Sequence, residues 1–359
     1  MGLVPKHIKN LSPYVPGMSI DEVKRKFNLT NIVKLASNEN PSGPSPKAIK
    51  YALEHINELH RYPDSYAFQL RTKLAHIYNV KIENVILGGG SEGIMSTIMR
   101  TFLHDDDEII SAKNSFIGFR VLANASGIKT HWVPMVNYHY DLDGIISKIN
   151  DKTIIIYLAN PDNTTGTYFN KLRFDEFIEK VPNRVLVILD EAYFEYAAHL
   201  DDFPDSMLYR YDNVITLRTF SKAYGLAGLR VGYGFGHQEL IDSLMKVKLP
   251  FEPSSFAQMA GLASLDDDEF LAETVKINAS GMQKILNSLK DYNTIPSVTN
   301  FVTIIFENNK ESHDFTDFML SQGVIVRNLK GFGLEDCVRV SIGTEDDNDF
   351  FCEVLSKIK

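Results

Sequence analysis

The residues best suited to chemistry lie between Leu217 and Gly232, in the run LRTFSKAYGLAGLRVG. A strand-like stretch enters a hydroxyl-rich turn that carries Lys222, and small residues with Arg230 precede a second strand-like stretch. In open α/β sheets ligands lie beyond the carboxyl ends of strands, so Lys222 is placed to reach one. Thr219, Ser221 and Arg230 add two hydroxyls and a fork of N–H donors, which suit a phosphate dianion. A desolvated lysine beside a second cation has a lowered pKa, as an amine nucleophile requires. The tripeptide Ser-Lys-Ala alone would be an ordinary surface turn.

Three other runs offer matching chemistry. VILGGGSEGI passes from a short strand through three glycines into a helix starting near Ser91, where free N–H groups and the positive dipole end can hold an anion. It lacks the full GxGxxG pattern and the P-loop lysine. LVILDEAY, Leu186 to Tyr193, is a buried-type strand ending in acids, and Asp190 at its end could keep a proton on a heteroaromatic nitrogen. Alone, such an Asp is more often a helix cap. LANPDNTTGT places turn residues after a strand, and the Asn163 amide could bond a ring hydroxyl.

These runs need a scaffold, and the sequence supplies one. Apolar β-branched stretches at Asn84 to Leu87, Glu108 to Ile110, Thr153 to Leu158, Arg184 to Leu189, Val214 to Leu217 and Val231 to Phe235 alternate with helical patterns. That alternation predicts an α/β domain with a mainly parallel central sheet flanked by helices, over residues 36–250. After KLPFEPS the pattern changes to a long helical stretch from Ser255 to Leu289, strands at Phe301 to Phe306 and Val338 to Ile342, and a helix near His313 to Gln322. This predicts a smaller α+β domain over 251–359. Residues 1–35, with several prolines, read as an arm that packs on the small domain or a partner.

Composition narrows the function. A chain of 359 residues suits two domains, and 44% hydrophobic with 23% charged residues is a globular balance. A net charge of −9 argues against nucleic acid and anionic membranes as partners. Cys337 and Cys352 cannot build a disulfide framework, and no apolar stretch reaches the ~18 residues of a membrane span, so a cytoplasmic setting is expected. Ten histidines show no metal-site spacing, so no metal is expected, and the acidic runs 105–107, 266–268 and 345–347 read as solvated turns or helix starts.

Taken in order, LSPYVPG, LASNENPSGPSP, RYPD, GGGSEG, NPDNTTGT, DEAY, SKAYGLAGLRVGY and VRVSIGT span nearly the whole chain. In these blocks the sequence resembles the fold-type I enzymes dependent on pyridoxal 5′-phosphate (PLP), and within them the class II aminotransferases of the histidinol-phosphate aminotransferase family. The resemblance implies that Lys222 carries PLP as a Schiff base and shuttles the substrate proton. It pairs Asp190 with the pyridine nitrogen and sets Asn163 and Tyr193 on the ring oxygen. Ser91, Thr219, Ser221 and Arg230, with N–H groups of Ser91 and Glu92, would surround the phosphate, and Phe116 would stack on the ring, although by itself Phe116 reads as core. Tyr62 matches a tyrosine that reaches the neighbouring subunit's cofactor, which implies a homodimer with shared active sites. Arg339 resembles the arginine that forks onto a substrate carboxylate or phosphate, with Arg327, Tyr14 and Asn40 as further substrate contacts.

The implied reaction moves an amino group from a small-molecule donor to a 2-oxo acid, preferably from L-histidinol phosphate to 2-oxoglutarate. The rivals are an aromatic amino-acid aminotransferase and a threonine-phosphate decarboxylase. A PLP-sensing regulator would need a helix-turn-helix domain, and roughly thirty residues before the first matching block leave no room for one. Three positions depart from the family pattern: Gly93 stands where a second acid is common, Thr164 where proline is usual, and Phe116 where tyrosine is frequent.

Overall fold

The computed structural model describes residues 2–13, 17–209 and 211–358. Its centre is a seven-stranded sheet. The strands follow the order Val85–Gly88, Gly232–Phe235, Val214–Thr219, Leu186–Asp190, Thr153–Ala159, Glu108–Ala112 and Lys129–Val133. Gly232–Phe235 is antiparallel to both neighbours and the other pairings are parallel. The inner strands are buried on both faces, which is why they appear in the sequence as continuous apolar runs. Lys129–Val133 escapes that pattern. It forms one edge, is largely half-buried, and spells KTHWV, so its only strong strand signal is the register it keeps with Glu108–Ala112.

Helices cover both faces. Gly90–Phe102 buries Ile94, Met95 and Ile98 against Ile86, Ile155 and Leu217, while Lys171–Ile178 buries Phe174 and Phe177 on the opposite side against Ile156 and Val187. The expected long helix over 255–289 is two helices, Ser255–Ser264 and Asp268–Ser288. Asp267 marks the break, accepting from the Ser45 hydroxyl at 2.5 Å and pairing with Lys47 at 3.6 Å. The first of these helices packs through Ala257 and Ala260 against Ala48, Leu70 and Leu74, beside the large sheet.

A four-stranded antiparallel sheet follows, in the order Arg327–Asn328, Cys337–Ser341, Phe301–Ile305 and Asn293–Ile295. Ile285, Phe315 and Phe351 from three helices close its core over Val302, Val338 and Val340. Residues of the predicted arm form regular elements. The Ser19–Glu22 capping box starts a helix at Ile20–Phe27, and Val33–Lys34 pairs in parallel with Val324–Ile325, beside the small sheet. The acidic run at 345–347 opens the Glu345–Leu355 helix, with Thr344 and Asp347 as a capping box. Among the described residues no helix is long and apolar enough to cross a membrane, and no cluster of three or more His, Cys, Asp or Glu is arranged to hold a metal ion.

Candidate active site

The large sheet brings its chemistry-bearing residues to one edge. Gly88, Ala159, Asp190 and Thr219 end their strands there, and Gly232 begins its antiparallel strand there. The turns beyond those ends enclose one cavity. Ser91, Glu92, Phe116, Asn163 and Asp190 line it together with Tyr193, Thr219, Ser221, Lys222 and Arg230. Thus ten residues singled out in the sequence from five separate segments share one space.

One end of the cavity is rich in donors. The Gly90–Phe102 helix starts there without a side-chain cap, so its first N–H groups are available to an anion. Gly90 has φ +80°, and a Cβ on it would stand 2.8 Å from Arg230 Nη2. A Cβ on Gly232 would stand 2.5 Å from the Ser91 nitrogen, so glycine there lets strand and helix start approach closely. The Ser221 hydroxyl oxygen accepts from Thr219 Oγ1 at 3.0 Å and from Arg230 Nη1 at 3.5 Å, which leaves its own proton to donate. Arg230 also pairs with Glu92 at 3.6 Å.

The other end holds Asp190 and Lys222. Asp190 is 3% exposed; its Oδ2 accepts from Tyr157 at 2.8 Å, and its Oδ1 is buried with no hydrogen-bond partner. Burial pushes this carboxyl up to about 7, with the Tyr157 bond opposing. A buried, half-satisfied carboxylate requires a cationic donor, so the site fits a protonated ring nitrogen. Lys222 Nζ donates to the Ser37 carbonyl at 3.2 Å, and desolvation, reinforced by Arg339 and Arg230, brings its ammonium down to about 8.

Tyr193 lines the same cavity. Its oxygen accepts from Asn163 Nδ2 at 3.1 Å and from Asn38 Nδ2 at 2.9 Å. Asn163 in turn accepts from Arg339 Nη1 at 2.5 Å, and Arg339 Nη2 donates to the Ala36 carbonyl at 3.0 Å. Arg327 and Arg339 are direct cross-strand partners, so two guanidinium side chains stand on one face of the small sheet next to Phe332.

The remaining predicted residues lie elsewhere. The Asn40 amide is taken up by the Ala223 carbonyl at 2.8 Å and Thr274 at 3.1 Å, so in this conformation it braces the lysine turn. Tyr62 is 80% exposed and stacks on Phe251 at 4.3 Å, away from this chain's own cavity. Tyr14 lies outside the described residues. Two of the departures, at Thr164 and Gly93, have local explanations. Thr164 donates its N–H to Asp162 at 2.8 Å and its hydroxyl to the Asn114 carbonyl at 2.6 Å, bonds that a proline could not make. The carboxylate of Glu252 lies 3.4 Å from where a Cβ on Gly93 would stand, so a distant acid occupies the space beside that glycine.

Two neighbours went unnoticed in the sequence. Tyr157, which holds Asp190, lies two residues before Ala159 on the adjacent strand, and period-two spacing at a strand end is the signal that could have found it. Asn38 sits at φ 55° inside the matched block LASNENPSGPSP, and only its fold-level neighbours reveal its contact with Tyr193.

A doubly wound sheet whose carboxyl edge joins a depressed-pKa lysine, a buried carboxylate and an anion cradle defines a transferase of fold type I. The chain belongs to the aminotransferase class I and II family, whose model matches residues 30–355. It is 40% identical over 359 residues to histidinol-phosphate aminotransferase 1 of Bacillus cereus, covering 99% of this chain and 96% of that protein. It is 41% identical to histidinol-phosphate aminotransferase 2 of Carboxydothermus hydrogenoformans, covering 99% of each. The crystal structure of histidinol-phosphate aminotransferase from Sinorhizobium meliloti in complex with pyridoxal-5′-phosphate superposes with a TM-score of 0.91 at 26% identity, over 100% of this chain and 99% of that one.

Proposed function

We propose that this aminotransferase uses PLP to exchange amino groups between L-histidinol phosphate and 2-oxoglutarate, giving imidazole-acetol phosphate and L-glutamate, a step of histidine biosynthesis. The observation that carries the cofactor reading is the buried, unpartnered Asp190 Oδ1 in a cavity shared with Lys222 and the phosphate-type donors. The donor preference rests on the full-length similarity to relatives that bear that name.

Bound in the cavity, PLP would supply an aldehyde for the amino group and a ring that draws electrons from the substrate Cα. Ser91, Thr219, Ser221, Arg230 and the N–H groups of Ser91 and Glu92 hold its phosphate. Asp190 keeps a proton on the ring nitrogen, Asn163 and Tyr193 serve the ring oxygen, and Phe116 offers an apolar ring for stacking. Lys222 Nζ holds the cofactor in the resting enzyme, and its lowered pKa suits it to take the Cα proton as a general base once freed. Arg339 and Arg327 bind the substrate's phosphate or carboxylate, and in this reading Tyr14 and Asn40 are further substrate contacts.

We read residues 36–250 and 251–359 as large and small domains and 1–35 as an arm. A homodimer follows from Tyr62, whose exposed ring would serve the partner's cofactor. Ile49, Leu53, Ile56 and Leu59, shortly before it in the chain, are exposed apolar side chains of the kind a partner subunit covers. A cytoplasmic setting fits the two free thiols. Steady-state assays with histidinol phosphate, phenylalanine and phosphothreonine test the substrate. Histidinol phosphate should give the highest kcat/KM with 2-oxoglutarate, whereas preference for phenylalanine, or carbon dioxide release from phosphothreonine, would overturn the assignment.

A further inference from the structure

The polarity of the hydrogen bonds around Tyr193 is fixed by residues outside the cavity. Ser341 Oγ accepts from the Asn38 backbone N–H at 2.9 Å, so its own proton goes to Asn38 Oδ1, 2.8 Å away. That orients the Asn38 amide: Oδ1 faces Ser341, and Nδ2 must face Tyr193. The Asn300 amide donates to the Asn38 carbonyl at 3.1 Å and helps hold the backbone of Asn38 at φ 55°. Asn163 is oriented independently, because its Oδ1 receives Arg339.

Two amide N–H groups therefore point at the Tyr193 oxygen. A phenol oxygen has two acceptor positions and one proton. With both acceptor positions used, the proton can only be given away, and Tyr193 borders the cavity. Asn38 and Tyr193 are each 1% exposed, so no solvent competes for these bonds. Burial raises Tyr193 to about 12, so it keeps the proton it donates.

We infer that Asn38 is a positioning residue: locked by Ser341, it commits the Tyr193 hydroxyl to donate into the cofactor cavity. The inference rests on the cofactor reading above. It assigns to the block LASNENPSGPSP a task in tuning the bound ring. The charged groups acting on Tyr193 are Arg339, Asp190 and Asp162, with Lys222 Nζ 5.8 Å from its ring centre.

Replacing Asn38 with Asp keeps the acceptor toward Ser341 and turns the atom facing Tyr193 from donor into acceptor. The tyrosine proton then turns away from the cavity. A donated hydrogen bond on the ring oxygen favours the deprotonated chromophore, so its loss moves the pH midpoint of the visible band of the PLP-loaded protein upward. The new carboxylate adds its own charge effect, which the same substitution in a Tyr193→Phe background measures. The expected result is an upward shift in the native background that exceeds the shift in the Tyr193→Phe background by about one pH unit, the worth of one hydrogen bond. Equal shifts in the two backgrounds, or none, overturn the inference. Should Asn38→Asp not fold, Ser341→Ala frees the amide and is read the same way: a shift confined to the Tyr193 background supports the inference, and its absence overturns it. Failure of the cofactor reading looks different, because the native protein would then show no visible band or Lys222→Ala would retain it.

Discussion

Asp190 gives the sharpest prediction, because stability and function should respond to its loss in opposite directions. In the cofactor-free protein its carboxyl titrates near 7 instead of 3.8, with burial as the main cause. The gap corresponds to about 4 kcal/mol against the ionised form. Because the folded-state pKa is raised, the contribution of this group is fully present below pH 3.8 and is lost as pH rises through about 7. Asp190→Asn keeps the shape and an acceptor for Tyr157 but does not titrate. The apo variant should therefore gain on the apo native protein as pH rises from about 4 to about 8, by up to about 4 kcal/mol in urea unfolding. PLP binding should change the other way. A cationic ring nitrogen offsets the buried charge only in the native protein, so the variant's PLP Kd, read by fluorescence titration, should weaken by up to about 1000-fold. A stability difference that does not change with pH, or an unaltered Kd, would refute this reasoning.

Other predictions follow from the same geometry. The apoprotein's Lys222 should react with an amine-selective reagent with a midpoint near pH 8, and Arg339→Met should raise that midpoint; mass spectrometry of labelling rate against pH measures it. Gly232→Ala places a Cβ 2.5 Å from the Ser91 nitrogen, so the helix start must move; the PLP Kd should rise at least about tenfold with a stability loss of about 1–3 kcal/mol. Arg218 is fully buried and bonds Glu191 at 2.7 Å and Asp205 at 2.8 Å behind the cavity. Arg218→Met leaves those carboxylates unpaired and should cost about 3–5 kcal/mol in denaturant unfolding at neutral pH.

The parts of this protein that were legible in the sequence are those governed by local signals. Buried parallel strands such as Thr153–Ala159 and Leu186–Asp190 carry their assignment in continuous apolar runs, and the glycine and hydroxyl turns at their ends carry the anion chemistry. Elements governed by their neighbours were hidden. Lys129–Val133 is a strand because Glu108–Ala112 offers it an edge, and the helical pattern through Leu265 is cut where Asp267 turns to meet Ser45. The site followed the same division. Lys222 and Asp190 stand in distinctive runs, whereas Asn38 acts through a partner 155 residues away, a relation that no spacing encodes.

One experiment addresses the central claim, that a single amine in this cavity holds the cofactor. The protein is incubated with PLP, reduced with borohydride and digested, and the peptides are mapped by mass spectrometry. The added mass should lie on the peptide containing Lys222 and vanish in Lys222→Ala. Stoichiometric modification of another lysine, or none at all, would contradict the account.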